Sequence, residues 1–265
     1  MLKTRILTAA LLVAIAIVCL FWLPGWLAVA LFGVPWTLGA LEWGRFVGWS
    51  RGFVWAYAGV FVLLALGSGE WFDAAGAEHV AGTAVVWWGL ALVGILRYPW
   101  RVPPAIVAAS GLLALVPSWL LLAYLLTSGP DGPMLVLSAL CVVWAADVGA
   151  YFCGRHFGRV KLAPRVSPGK TWEGVLGGVG SATFMAVLAG LWFGQPLVSW
   201  AATGFAAALV SIVGDLTVSV CKRQAGVKDS GRLLPGHGGM LDRIDSLTAA
   251  LPVFYLSLRL AGLVG

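Results

Sequence analysis

Residues 103–127 have the sequence PPAIVAASGLLALVPSWLLLAYLLT, in which no Asp, Glu, Lys or Arg occurs. An α-helix rises about 1.5 Å per residue, so about 20 apolar residues span the roughly 30 Å hydrocarbon core of a bilayer. The segment is long enough to cross a membrane as a helix. It therefore predicts a transmembrane helix, and it decides the class of fold to which the chain belongs.

The composition of the whole chain agrees with that prediction. Of the 265 residues, 60% are apolar and 11% are charged, whereas soluble domains average about 25% charged residues. A mean hydropathy of +0.93 leaves too few polar side chains to cover a surface in water. The composition also excludes a disordered chain and a coiled coil, and the 35 glycines follow no G-X-Y repeat of the collagen type.

Further apolar segments flank the first one, and Pro and Gly residues separate them. The nine segments lie at 6–23, 25–43, 52–67, 80–96, 103–127, 133–152, 172–194, 198–221 and 243–262. We therefore expect an all-α, polytopic integral membrane protein with about nine transmembrane helices. Residues 1–132 form its N-terminal helices, and residues 133–265 form the C-terminal helices that carry the catalytic loops.

The charges indicate how the chain is oriented in the membrane. When successive loops are assigned alternately to two sides, all but one of the 17 Lys and Arg residues fall on one side, the exception being Arg259. The loops of the opposite side carry only acidic charges, at Glu70, Asp73, Glu78 and Asp131. Because Lys and Arg are enriched in cytoplasmic loops, we expect a cytoplasmic N-terminus. This placement accounts for the net charge of +6, and we expect no nucleic-acid partner.

The N-terminus has features of a secretory signal. Lys3 and Arg5 precede an apolar run from Ile6 to Leu23, and an A-x-A sequence follows at residues 28–30. The run is long for the core of a signal peptide, so we expect it to remain as a helix. No organelle address is evident, and the expected location is the bacterial inner membrane.

Two predicted cytoplasmic loops, 153–171 and 222–242, contain the longest polar stretches, and we expect the chemistry there, on the cytoplasmic side. On the helix before the second loop, Asp215, Ser219 and Lys222 are spaced i, i+4 and i+7, which puts them on one face. A carboxylate in an apolar helix costs about 2.5 to 3.5 kcal/mol on insertion scales. Aliphatic residues surround Asp215 in the sequence, so it requires a cation.

On the helix after the second loop, Asp242, Asp245 and Ser246 share a face. One interpretation is that the two aspartates cap the helix, whose N-terminus favours negative charge, and that Lys222 only ends the preceding helix. The other is that carboxylates on neighbouring helices, surrounded by basic residues, hold a divalent metal and a polyphosphate. Mg²⁺ binds through one or two carboxylates plus substrate phosphates, and Lys and Arg then neutralise the remaining phosphate charge.

The first loop offers Ser167, Lys170 and Thr171 at the membrane surface. The G-K-T sequence at 169–171 is not a P-loop, because Pro164 stands where a Walker A motif has glycine and an all-helical pattern supplies no preceding strand. Lys170 has two interpretations: it contacts a phosphate, or it anchors the next helix at the membrane surface.

Asp147 is a further acid within a predicted helix. Tyr151 and Gly154 follow it one and two turns later, so the three residues lie on the same side of that helix. Arg155 is the alternative, structural partner for this carboxylate.

The chain resembles a known family in these polar regions. Residues 219–245, SVCKRQAGVKDSGRLLPGHGGMLDRID, are similar to the signature of the phosphatidate cytidylyltransferases, or CDP-diacylglycerol synthases. ADVGAY at 146–151 and SPGKTWEG at 167–174 resemble the upstream motifs of the family. The resemblance covers about 145–246, and the first half agrees by hydropathy alone. Cys221 departs from it, because the family has a larger aliphatic residue there, but the position lies off the polar face and concerns local packing.

The resemblance implies the reaction of CTP with phosphatidic acid to give CDP-diacylglycerol and pyrophosphate. It also implies that Mg²⁺ is required, and that Asp215 and Asp242 hold a two-cation centre of one divalent ion and one K⁺. The implied partners are CTP, phosphatidic acid and membrane lipids, and a homodimer is plausible for the family.

The resemblance and the residue patterns together give a predicted site. Its catalytic residues are Asp215, Asp242, Lys228 and His237, of which the two aspartates also hold the metal. Its substrate-binding residues are Ser167, Lys170, Thr171, Ser219, Lys222, Arg223, Arg243, Asp147 and Asp245. Because phosphatidate is already ionised near neutral pH, no strong general base is needed, and His237 fits a hydrogen-bond donor better than a base.

Three other functions compete with this prediction. A different CTP-using lipid enzyme, such as a polyprenol kinase, would use the same kinds of residue. An ion-coupled transporter would also contain buried acids, but transporters tend to have repeated halves and a midplane site, which this sequence does not indicate. A purely structural membrane protein accounts for the basic loops but not for Asp215.

Overall fold

The structure is a computed structural model that describes residues 2–67, 72–233 and 238–264. In these ranges the chain forms nine helices and two short strands. In chain order they are α1 (Leu2–Phe21), α2 (Gly25–Phe46), α3 (Arg51–Gly67), α4 (Ala74–Leu96), α5 (Pro104–Thr127), α6 (Gly132–Phe157), β1 (Lys161–Ala163), β2 (Ser167–Thr171), α7 (Trp172–Phe193), α8 (Leu197–Gln224) and α9 (Leu241–Leu260). Each predicted apolar segment corresponds to one helix, so the all-α class of fold is confirmed, and the helices are consistent with a polytopic membrane protein.

Six helices among the described residues are long and apolar enough to cross a membrane, namely α2, α4, α5, α6, α7 and α8. Two apolar helical segments are shorter, Ala10–Phe21 in α1 and Arg51–Gly67 in α3. Helix α9 has a polar start, because Asp242, Arg243 and Asp245 lie in its first turns. It nevertheless packs in the interior, where Leu251, Phe254 and Tyr255 are buried against the other helices, as the fold requires.

Small residues bring the C-terminal helices close together. The buried positions of α7 are Gly174, Gly178, Ala182, Ala186 and Gly190, which repeat every four residues on one face. In lipid, such a face lets helix backbones approach each other and gain van der Waals contact. Helices α8 and α9 meet in the same way, since a Cβ at Gly214 would collide with the Asp245 carbonyl oxygen and lie 2.9 Å from the Ala249 Cβ. Close packing therefore places the polar faces of α6, α7, α8 and α9 side by side.

Aromatic side chains hold α2 against α5 by their polar ends. The indole nitrogen of Trp36 donates to Ser118 Oγ over 2.8 Å, and the indole nitrogen of Trp43 donates to the Val107 carbonyl over 2.8 Å. Buried Trp side chains are stable when this N–H finds an acceptor. The two bonds fix the rotation of α2 about its axis, and with it the direction in which Glu42 points.

The loops that the charge pattern predicts on one side meet at one end of the bundle. Arg223 Nε donates to the Val166 carbonyl over 3.2 Å, and Gln224 Nε2 donates to the Trp100 carbonyl over 2.6 Å. These bonds connect the end of α8 with the α6–α7 and α4–α5 loops. At the other end, Arg259 Nε lies 3.4 Å from Glu78 Oε2.

The first polar loop is more ordered than the sequence indicates. Strands β1 and β2 form an antiparallel hairpin in which Lys161 pairs with Thr171 and Ala163 with Ser167. The expectation that no strand precedes the G-K-T sequence was therefore wrong. Strands of three and five residues are too short to give the apolar alternation by which strands are predicted. Exclusion of a P-loop is unaffected, because Lys170 lies within β2 and Pro164 still occupies the glycine position.

Candidate active site

A cavity of about 620 Å³ opens between α6, α7, α8 and the hairpin. Its volume is in the range of small-molecule sites, roughly 300 to 1,000 Å³. The polar residues that line it include Asp147, Tyr151, Ser167, Lys170, Thr171 and Asp215. Aliphatic residues such as Ile212, Val175 and Val179 form much of the remaining wall. The cavity combines polar groups at one end of the bundle with an apolar wall.

Asp215 of α8 is the central acid of this cavity. Its Oδ2 atom lies 2.7 Å from Lys170 Nζ, and 30% of its side chain is exposed. Its Oδ1 atom accepts a hydrogen bond from Ser219 Oγ over 3.2 Å, which confirms that the i, i+4 pair shares a face. Lys170 of β2 supplies the positive charge with which Asp215 pairs.

Two more carboxylates come close to Asp215 from neighbouring helices. Asp245 of α9 is buried, and its charged neighbours are Asp215, Asp147 and Lys222. Asp147 of α6 lines the cavity and interacts with Asp215, Lys170 and Arg243. Like charges at close range repel, so the basic side chains are needed to balance the three acids. The cluster concentrates both signs of charge at one point in an otherwise apolar bundle.

Asp242 lies in the first turn of α9 and is bound on both oxygens. Lys222 Nζ lies 2.6 Å from Oδ1, and both side chains are about 90% buried, with 10% and 9% exposed. The backbone N–H groups of Ser230 and Gly239 donate to Oδ2 over 2.9 and 3.1 Å. Asp242 lies where the helix dipole favours a negative charge, but it does not cap α9, because the N–H groups that it accepts belong to residues before the helix. The bond to Lys222 also joins the ends of α8 and α9.

Comparison with known proteins gives the chain a family. Residues 3–261 match the cytidylyltransferase family. The chain is 46% identical to the phosphatidate cytidylyltransferase of Pseudomonas aeruginosa, over 99% of this chain and 98% of that protein. It is 42% identical to the Haemophilus influenzae protein of the same name, over 96% and 97%, and 39% identical to that of Brucella suis, over 96% and 92%. The chain belongs to the cytidylyltransferase family.

Membership extends the resemblance beyond the polar motifs. The sequence patterns linked about 145–246 to the family, whereas the family match begins at residue 3. The N-terminal helices α1 to α5 are therefore part of the family fold as well. This includes Glu42 of α2, which contacts the second polar loop.

The remaining predicted site residues fall into three groups. Ser167, Lys170 and Thr171 border the cavity, although the Thr171 hydroxyl also caps α7 by accepting from the Gly174 N–H over 3.2 Å. Arg243 interacts electrostatically with Asp147 of the acid cluster, and Lys222 forms an ion pair with Asp242.

In the third group, Arg223 and Lys228 do not line the cavity. Arg223 donates to the carbonyl oxygens of Val166 and Val227 and so holds the hairpin against the end of α8. Lys228 is exposed in the loop after α8 and forms no ion pair within the described parts of the chain. His237 lies outside the described residues.

The carboxylates of the site differ in how well they could hold a metal ion. In the part of the chain that the structure describes, no three His, Cys, Asp or Glu residues form a group that could hold one. Mg²⁺ needs only one or two carboxylates when phosphates and water complete its shell. Asp215 fits this role, because it faces the cavity and its carboxylate already binds the ammonium group of Lys170 where a metal cation would bind. Asp242 fits only after Lys222 leaves Oδ1, because the other oxygen is bound by two backbone N–H groups.

Sequence reasoning missed Glu42. It is a buried acid near the end of α2 that accepts hydrogen bonds from Ser230, Met240 and Leu241. The signal for it was present, because an acid in an apolar helix requires partners, as at Asp215. What the sequence could not show is that these partners lie in the loop before α9. Arg155, the alternative structural partner for Asp147, instead donates to the Tyr151 hydroxyl over 2.6 Å.

Proposed function

We propose that the protein transfers CMP from CTP to phosphatidic acid, giving CDP-diacylglycerol and pyrophosphate for phospholipid synthesis. Family membership over almost the whole chain supports a cytidylyltransferase, and full-length relatives named phosphatidate cytidylyltransferase support the substrates. The observation that carries the proposal is the Lys170–Asp215 pair in the cavity. It puts an acid and a cation where a charged nucleotide and a lipid phosphate can meet.

The reaction joins two anions, so charge neutralisation is its main requirement. A phosphatidate oxygen attacks the α-phosphorus of CTP, a new P–O bond forms, and the bond from that phosphorus to the oxygen of the β-phosphate breaks. The pyrophosphate leaves with the electron pair, and no proton has to be removed from the ionised nucleophile. Lys170 and Lys222 stabilise the transferring and leaving phosphates by charge. Arg243 and Lys228 add positive charge at the same end of the bundle, and Ser167, Thr171 and Ser219 position phosphate or ribose.

Asp215 and Asp242 are the residues that would hold Mg²⁺, with K⁺ as the second cation of the centre. When bound, the metal supplies positive charge to the leaving pyrophosphate. The two lysines support this assignment, because both carboxylates already bind a cationic group at 2.7 and 2.6 Å. Lys170 and Lys222 then turn from the carboxylates to the phosphates of the substrates. Asp147 and Asp245 balance the positive charge around the site.

We place this site at the cytoplasmic face of the bacterial inner membrane. The loops rich in Lys and Arg meet at the end of the bundle that contains the cavity, and such loops favour the cytoplasm. In this orientation CTP arrives from the cytoplasm, and the phosphate of the lipid lies at the headgroup level. The same orientation puts the N-terminus in the cytoplasm and makes all nine helices spans.

Two labels on CTP test the proposed reaction. The purified protein is incubated with phosphatidic acid and Mg²⁺, using CTP labelled at the α-phosphate in one sample and at the γ-phosphate in another. We expect lipid-bound label only from the α-labelled CTP, and none in the presence of EDTA. Label transferred from the γ-phosphate would show a lipid kinase instead, and no transfer of either label would contradict nucleotidyl transfer.

A further inference from the structure

We propose that Glu42 is a positioning residue for the reaction, which holds the loop before α9 in place and thereby orients Asp242. The inference rests on the proposed function, because Asp242 belongs to the site described there. Glu42 lies on α2, outside the polar motifs of the C-terminal half. It acts through other residues of the chain and does not line the cavity.

The Glu42 carboxylate is buried and fully engaged. Only 5% of the residue is exposed. Its Oε2 atom accepts from Ser230 Oγ over 2.7 Å and from the Leu241 N–H over 2.8 Å, and its Oε1 atom accepts from the Met240 N–H over 3.0 Å. Within residues 2–67, 72–233 and 238–264, no Lys or Arg forms an ion pair with it. Among the described residues, the donors that stabilise this buried carboxylate are thus neutral.

Two of these donors belong to the start of α9. The helix begins with Met240 as its N-cap, a residue whose side chain makes no capping hydrogen bond. The first N–H groups of a helix need acceptors, and a negative charge there is favoured by the helix dipole. Glu42, which lies on α2, supplies both the acceptor oxygens and the negative charge. It thus fixes the position of the first turn of α9, in which Asp242 lies.

Asp242 binds the same loop from the opposite side. Its Oδ2 atom accepts from the N–H groups of Ser230 and Gly239, while the Ser230 hydroxyl donates to Glu42. Ser230 is therefore held by both carboxylates, once through its backbone and once through its side chain. We call Glu42, Asp242 and Ser230 the double clamp. A displacement of Glu42 moves Ser230, and with it the N–H that fixes Asp242.

The glycines of the loop show how little space the double clamp leaves. A Cβ at Gly231 would collide with the Glu42 carboxylate, and a Cβ at Gly239 would collide with both Ser230 Oγ and Glu42. A Cβ at Gly238, whose φ is +79°, would lie 2.9 Å from Asp242 Oδ2. The backbone on both sides of the loop is thus in close contact with the two acids. Such contact allows one carboxylate to control the position of the other.

Orientation of Asp242 matters because its other oxygen binds Lys222. With Oδ2 held by two N–H groups, Oδ1 is directed to Lys222 Nζ. Both residues belong to the proposed site, where Lys222 would bind the leaving pyrophosphate and Asp242 would hold the metal that neutralises it. Interactions with a leaving group strengthen in the transition state, so their loss lowers kcat more than it raises KM.

The test compares three variants of the full-length protein in detergent. Glu42→Gln keeps the size of the side chain but leaves one acceptor oxygen for three donors, and Ser230→Ala removes the bond between the two halves of the double clamp. We expect kcat to fall about 100-fold in Glu42→Gln, as displacements of about 1 Å far from the chemistry can cause, and roughly tenfold in Ser230→Ala. KM for CTP should stay within about threefold in both. Glu42→Asp keeps the charge and should restore part of kcat.

The control is Glu78→Gln, which removes an exposed acid at the opposite end of the bundle and should leave kcat unchanged.

In the double variant Glu42→Gln/Ser230→Ala, the loss of kcat should be close to that of Glu42→Gln alone, because both changes open the same double clamp. Full kcat in Glu42→Gln, or effects that multiply independently, would overturn the inference. If Glu42→Gln does not fold, the Ser230→Ala variant is sufficient as a test, and an unchanged kcat in that variant overturns the inference. Absence of lipid labelling by the wild type would instead refute the proposed function.

Discussion

Asp215 and Asp242 each bind a lysine, yet their surroundings give them different roles. Asp215 exposes 30% of its side chain to the cavity and pairs with Lys170 of the hairpin. Asp242 is about 90% buried and is also bound by backbone N–H groups. A cation would therefore reach Asp215 by displacing one side chain, whereas a substrate phosphate would bind the Lys170 ammonium group. The sequence predicted that Asp215 needs a cation, but not which one, because no pattern indicates the hairpin that carries Lys170.

Replacing Lys170 tests the role of its ammonium group. We expect Lys170→Ala to lower kcat about 100-fold, which is the usual effect of removing one charged or polar group that stabilises a transition state. The ion pair is partly exposed, so the free energy of unfolding should change by about 1 kcal/mol or less. Steady-state kinetics and thermal unfolding in detergent measure the two effects.

The matched control for this experiment is Lys161→Ala. Lys161 is exposed on the same hairpin, and in the described chain it forms no ion pair. Its loss should leave both kcat and the free energy of unfolding unchanged. Equal loss of activity in the two variants would mean that general positive charge at the surface, rather than the Lys170–Asp215 pair, supports the reaction.

At the scale of elements, apolar length predicted the helices well, and polar contacts between helices were not predictable. Each of the nine apolar segments became one helix, because a segment without water must satisfy its backbone hydrogen bonds internally. The hairpin was missed because its strands are short and polar. The Glu42 contacts were missed because Ser230 and Leu241 are distant in sequence, and only the packing of α2 against α9 brings them together.

Glycine positions at helix contacts give a prediction for this scale. A Cβ at Gly204 of α8 would overlap with Ala186 and lie 2.8 Å from the Ala182 carbonyl oxygen, both on α7. We expect Gly204→Ala to lower the free energy of unfolding by about 1 to 3 kcal/mol, as overpacking does. The control is Gly180→Ala, since Gly180 has no atom of the described residues within 4 Å of an added Cβ. A lower Tm in Gly180→Ala than in Gly204→Ala would contradict the packing argument.

At the scale of the whole molecule, charge separates the two ends of the bundle. The loops rich in Lys and Arg surround the acid cluster at one end, and Glu78 with Arg259 lies at the other. The sequence predicted this separation from loop charges alone. Each helix carries the chain from one end of the bundle to the other, so successive loops lie at alternate ends. The geometry of the site did not follow from it, since the cluster joins α6, α8 and α9 through contacts that no local pattern records.

Labelling of introduced cysteines tests the proposed orientation. In a variant whose four native cysteines are replaced by alanine, Lys161→Cys lies in the hairpin and Asp131→Cys at the start of α6. We expect a membrane-impermeant thiol reagent to label Lys161→Cys in inside-out vesicles and Asp131→Cys in right-side-out vesicles. The reverse pattern would put the site outside the cytoplasm, where CTP is not supplied.

The most direct measurement of the central claim is the transfer of α-labelled phosphate from CTP to phosphatidic acid by Asp215→Asn. The control is Asp131→Asn, which changes an exposed acid at the start of α6 whose side chain makes no capping hydrogen bond. The account predicts that Asp215→Asn lowers the rate about 100-fold or more, because an amide cannot balance Lys170 or ligate a divalent cation, while Asp131→Asn remains fully active. A rate for Asp215→Asn close to that of the wild type would contradict the account.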